Sequence, residues 1–141
     1  MRWAKGDTVI RWLPRTASVT FTTGTLVCFN TLDGTLATAV NATTTGIVGL
    51  ILESVASTDS DYATAAVKVP VEVPVGKNCV LLATVANGTL LTTSINREFA
   101  LSTTSGNVDF GDTSTTAVRC VGYVSGTEGL FVIEQSALWD D

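Results

Sequence analysis

Short apolar runs alternate with turn-forming residues along the chain, and the cleanest of them is Val67 to Val75. Val67, Val69, Val71, Val73 and Val75 fall on one face, with Lys68, Pro70, Glu72 and Pro74 on the other. A period of two predicts a β-strand with one buried face. Alternate residues direct their backbone polar groups to the same edge, so Pro70 and Pro74 strip donors from one edge only. The pattern predicts an edge strand protected by Pro70 and Pro74 against stray pairing. An extended segment crossing a partner's surface is the other reading of the same residues.

The remaining strands are shorter. Gly24 opens one through Thr25 to Phe29. Asp33-Gly34 then predicts a type I′ hairpin turn, in which both central residues take positive φ. Thr35 to Val40 returns, and Asn41 to Gly46 forms a loop. Ile47 to Leu52 is short, apolar and rich in β-branched residues, which predicts a buried strand rather than a helix. Ser54 to Ala63 reads as a polar loop, followed by strands at Val67 to Val75 and Val80 to Ala83. In the second half Asn87-Gly88-Thr89-Leu90 echoes Asp33-Gly34-Thr35-Leu36, and Val121-Gly122-Tyr123 echoes Val48-Gly49-Leu50. An internal duplication of hairpin plus strand pair fits this, and so does chance likeness among strands rich in valine and threonine. Gly129 to Ile133 is the last strand, and Asn96 to Ser114 reads as a polar insertion. The predicted fold is all-β, a small β-barrel or β-sandwich.

Composition adds the surface. The chain has 141 residues, enough for one domain. Only 15% of them are charged, and 24 threonines fill much of the deficit. Threonine suits a pleated sheet, and a surface poor in charge is expected to face protein, because interface cores are depleted of charged residues. The charge is also unevenly placed. Arg2, Lys5, Arg11 and Arg15 are four of the eight basic residues, with Trp3 and Trp12 among them and Asp7 as the one acid. Tryptophan and arginine are enriched as binding anchors, and termini are poorly ordered unless tied down. Residues 1–20 are therefore expected to form an extended docking arm, residues 21–136 the β-domain and residues 137–141 an acidic tail. Within the arm, Thr8, Val9 and Ile10 are a strand-forming run, flanked by the anchors Arg2, Trp3, Lys5, Arg11, Trp12 and Arg15. A leader folded back onto its own barrel is the simpler alternative. Trp139, beside Asp140 and Asp141, fits a packed lid or a second contact point.

Candidate chemistry is sparse. The sequence has no histidine, which removes Ser-His and Cys-His nucleophile pairs and the commonest metal ligand. Neither Lys68 nor Lys77 follows a serine at the spacing of a Ser-x-x-Lys dyad, and no glycine-rich phosphate cradle occurs. Asp59-Ser60-Asp61 lacks the glycine and distal glutamate of a calcium loop. Cys28, Cys79 and Cys120 are scattered within apolar runs, without a Cys-x-x-Cys pair. They read as buried small hydrophobes in a reducing compartment. No enzyme activity, metal or cofactor is expected. A net charge of −5 opposes nucleic-acid binding. No apolar signal segment follows Met1 and no run is long enough to span a bilayer, so no membrane association is expected.

From Gly24 to Glu134 the order of features resembles the small β-domain proteins that decorate tailed-phage capsids. The resemblance is carried by the Gly-Thr-Leu-Val strand at 24–27, Ile47-Val48-Gly49, the segment Val67 to Pro74, Val121-Gly122-Tyr123 and the closing Leu130-Phe131-Val132-Ile133. It implies a virion protein on the capsid exterior, assembled in the host cytoplasm. Such a protein binds the major capsid protein, stabilises the shell by bridging coat subunits, and is a homo-oligomer, commonly a trimer. It also implies that an extended terminal segment adds a strand to a coat-protein sheet, a mode in which main-chain hydrogen bonds give affinity. The polar insertion departs from that pattern. The rival expectation is a receptor- or glycan-binding module of a phage fibre or surface appendage. That reading requires exposed aromatics on loops, for which Tyr62, Phe99, Phe110 and Trp139 are the candidates.

Overall fold

A computed structural model describes residues 1–30, 33–41, 43, 46–103 and 106–134. The fold is all-β: β1 Arg2–Lys5, β2 Thr8–Pro14, β3 Leu26–Phe29, β4 Leu36–Thr38, β5 Ile47–Ile51, β6 Lys68–Pro74, β7 Val80–Ala86, β8 Glu98–Leu101, β9 Asn107–Asp109, β10 Val118–Tyr123 and β11 Glu128–Ile133. One turn of 3-10 helix, Thr92–Ser94, interrupts them. The strands form two sheets. One runs β1-β7-β11-β10-β8-β9 and closes into a five-stranded barrel where β9 pairs in parallel with Thr84–Ala86 of β7. The other runs β2-β6-β5-β3-β4.

The main core lies between the sheets. Leu26, Ile47 and Leu50 meet Leu81, Phe99, Leu101, Val118 and Phe131 from the barrel. A second core, on the other face of the β2-β6-β5-β3-β4 sheet, joins Val27, Leu36, Val48 and Ile51 to Val69, Val71 and Val73 under Phe21 and Val55. Strand β5 is therefore buried on both faces, which is why its sequence is continuously apolar instead of alternating. All three cysteines are free and buried.

Several expectations change. Strand β6 is not at an edge, because β2 pairs with it from Thr8↔Pro74 to Pro14↔Lys68 and β5 lies on its other side. The prolines do act on one edge. Backbone bonds from Arg15 to Val67 and from Val75 to Asp7, both 2.9 Å, show that the valine positions of β6 bond to β2. Pro70 and Pro74 face β5, where the ladder shrinks to Leu50↔Glu72 and Ile51↔Val71. The edge that keeps its donors is the one that β2 fills.

The N-terminal segment is thus part of both sheets rather than a separate arm. β1 pairs with β7, and the chain turns at Gly6 into β2 on the other sheet. Gly6 has φ of +93°, and a Cβ there would lie 2.6 Å from the Cys79 sulfur. Asp33-Gly34 does not make a two-residue turn, since Phe29 pairs with Leu36. Gly34 alone of the two has positive φ, and Asp33 instead accepts from the backbone and hydroxyl of Thr35. The insertion contains β8 and β9, two walls of the barrel. The topology repeats: β2-β6-β5-β3-β4 and β7-β11-β10-β8-β9 run in the same order, so hairpin β3–β4 with pair β5–β6 corresponds to hairpin β8–β9 with pair β10–β11. In each copy the third strand meets the end of the first in parallel, β9 with β7 and Leu36 of β4 with Arg15 just past β2. The expected match of Val80–Ala83 to the β3 strand is off by one strand, since β7 corresponds to β2.

Candidate partner-docking surface

The basic, aromatic leader divides into an inward and an outward set. Arg15 is inward, 1% exposed. Its guanidinium donates to the carbonyls of Asp61 at 2.8 Å and Tyr62 at 3.2 Å, and lies 3.4 Å from the Asp61 carboxylate. Trp3 is half-buried against the main core, and its indole donates to the Glu72 carbonyl at 3.3 Å, tying β1 to β6 across the sheets. Thr8 donates to the Glu72 carboxylate at 2.8 Å. Arg15 and Trp3, expected as anchors, and Thr8, expected in the docking run, instead hold the fold together by bonds to the loop before β6 and to Glu72 of β6.

Val9, Ile10, Arg11 and Trp12 are outward, as are Arg2 and Lys5. Ile10 is 61% exposed and Trp12 60%. β2 ends its sheet. Just past it β4 meets the same edge, where Arg15 bridges Leu36 in parallel and Thr16 donates to the Leu36 carbonyl at 3.0 Å. Among the described residues no strand pairs with the outer edge from Thr8 to Trp12. Because Asp7 and Arg15 bond to β6, the alternate residues Thr8, Ile10 and Trp12 direct their N–H groups away from it. Pro14, next in that series, supplies a carbonyl alone. The free edge is short, closed at one end by the Arg15–Leu36 bridge just past Pro14 and at the other by the Gly6 turn.

Cross-strand partners share a face, so the register divides β2 in two. Ile10 and Trp12 lie with Glu72 and Pro70. Val9 and Arg11 lie with Val73 and Val71, where an open hollow of about 180 Å³ is lined by Val9, Arg11, Val73, Pro74 and Val75. Val75, 59% exposed, extends the apolar strip beyond β6. Its sequence position, last in the valine series, looked like core; the strand ends before it.

A second exposed apolar group, Leu91, Ile95, Val121, Tyr123 and Val124, follows the 3-10 turn and the end of β10. No sequence signal marked it, because single apolar residues in polar surroundings are ordinary on surfaces. Of the loop aromatics expected of a glycan site, Phe99 is buried within β8, and Phe110 and Tyr62 are half-buried. Phe99 is fully buried and stacks on Phe110 at 5.4 Å, with Arg97 over both rings. The Tyr62 hydroxyl donates to the Ser18 carbonyl at 2.9 Å. Trp139 and residues 137–141 lie outside the described residues. Among the described residues no helix is long and apolar enough to cross a membrane.

Comparison with protein-family models, curated proteins and solved structures finds no match to this chain.

Proposed function

We propose that this chain is a structural module that docks on a protein shell through the outer edge of β2, and that the shell is a tailed-phage capsid, as the sequence resemblance implies. In this reading it sits on the capsid exterior, bridges copies of the major capsid protein and works as a homotrimer. The observation that carries the docking reading is the free edge Thr8–Trp12, which combines unused backbone donors with Ile10 and Trp12 at about three-fifths exposure. Aromatic anchors beside an unpaired strand suit β-augmentation. A trimer adds multivalency, because several modest contacts on one shell reinforce each other through effective concentration.

The test is co-sedimentation with purified cognate capsids. Ile10→Pro removes an outward donor without touching the β6 ladder, and Trp12→Ala removes the anchor. Both variants should stay folded by circular dichroism and lose most capsid binding. Retention equal to the unmodified protein would overturn the reading. Sedimentation equilibrium on the same samples should give three times the 14.7 kDa chain mass.

A further inference from the structure

We infer that the outer edge of β2 accepts an extended segment in which acidic and apolar residues alternate, with the acids on the Arg11 side. This rests on the docking reading of β2 and adds the chemistry of what docks there.

The two faces of β2 make different demands. A strand laid along the outer edge would place alternate side chains about 5 Å from those of β2. On one face its neighbours are Ile10 and Trp12, both largely exposed. Apolar side chains there remove that surface from water. The Glu72 carboxylate on this face already accepts from Thr8, and its charge disfavours a further acid. On the other face the neighbours are Val9 and Arg11, beside the hollow bounded by Val73, Pro74 and Val75. Arg11 has no carboxylate within ion-pair distance among the described residues.

A second copy of β2 is a poor occupant. Antiparallel pairing about Ile10 would bring two Arg11 side chains to diagonal positions on one face, where like charges repel. An acid opposite or diagonal to Arg11 instead completes an ion pair, and the alternation of a strand puts an apolar residue on the Ile10 and Trp12 face at every other position.

The test titrates the full chain, labelled with ¹⁵N, with a capped heptapeptide of alternating glutamate and valine, and separately with its lysine–valine counterpart. The acidic peptide should move the amide signals of Thr8, Ile10 and Trp12. Its affinity should fall as salt rises, and Arg11→Glu should weaken it roughly fivefold, the scale of one exposed attraction turned into repulsion. The lysine–valine peptide should prefer that variant. Equal binding of both peptides, binding of neither, or shifts centred on Leu91 and Tyr123 would overturn the inference. Failure of capsid retention with peptide selectivity intact would sink the capsid reading alone, and the reverse result would sink this one alone.

Discussion

Arg15 reaches Asp61 with its guanidinium and bonds to the backbone of that residue more closely than to its carboxylate: 2.8 Å to the carbonyl against 3.4 Å to the acid. The carboxylate side chain is 54% exposed, the guanidinium side chain 1%. The buried charge is therefore held by carbonyl dipoles of the loop before β6, and the acid contributes a solvent-screened remainder. Arg15→Ala should destabilise the fold by about 2–4 kcal/mol, through lost charged hydrogen bonds and a cavity. Asp61→Ala should cost less than about 1 kcal/mol, as exposed pairs do. Urea denaturation of the two variants checks the difference; equal losses would mean that the carboxylate carries the interaction. By the same logic, removal of residues 1–15 should abolish the cooperative transition, since it strips β1, β2 and Arg15 from both sheets.

Gly49 is fixed by contact rather than by dihedral angle. A Cβ on it would stand 2.3 Å from the Glu72 carbonyl oxygen, the same oxygen that accepts from Trp3. Backbone on both sides cannot yield without separating β5 from β6, so Gly49→Ala should cost about 2–3 kcal/mol by overpacking. Gly76 is the control: nothing lies within 4 Å of its would-be Cβ, and Gly76→Ala should stay within about 0.5 kcal/mol. Thermal unfolding of both proteins decides whether the β5–β6 approach is as tight as described.

The strand content was largely legible, and the pairing was not. Alternation from Val67 to Val75 located β6 to within a residue at each end, because a period of two is a local property. The prolines identified an edge without donors, but the partner of the opposite edge lies near the start of the chain, and nothing in Thr8 to Pro14 names β6 over a foreign strand. A run that forms strands reads the same whether it pairs at home or abroad. Arg15 shows the same limit: an arginine that donates to backbone carbonyls leaves no complementary residue type to find. β8 and β9 were hidden by length, since a three- or four-residue strand in a closed barrel needs only Phe99, Leu101 and Val108 turned inward, amid polar neighbours. What the sequence did expose was the outward remainder of the leader. Arg2, Lys5, Val9, Ile10, Arg11 and Trp12 are the expected docking residues that the fold leaves exposed.

Asp112 gives the loop between β9 and β10 a pH dependence. Its carboxylate accepts from the Ser114 hydroxyl at 2.7 Å, the Ser114 N–H at 2.8 Å, the Asn41 amide at 3.0 Å and the Thr115 hydroxyl at 3.3 Å. The Ser114 hydroxyl first, then its N–H and the Asn41 amide, hold the carboxyl well below its ordinary value of 3.8. A carboxyl whose folded pKa is depressed stabilises the fold fully above its unfolded pKa, and that contribution is lost as pH falls towards the folded value. The bond to Asn41 ties this loop to the one that follows β4, so the loss should loosen both. The melting temperature should hold steady above about pH 5 as far as this group is concerned, and decline below about pH 4, where unfolded aspartates take up protons. Asp112→Ala should lower the plateau and flatten the acid limb, narrowing the gap to the unmodified protein as pH drops. Melting curves from pH 2 to pH 7 test this, and a gap that stays constant down to pH 2 would show that the carboxylate is not held by these four donors.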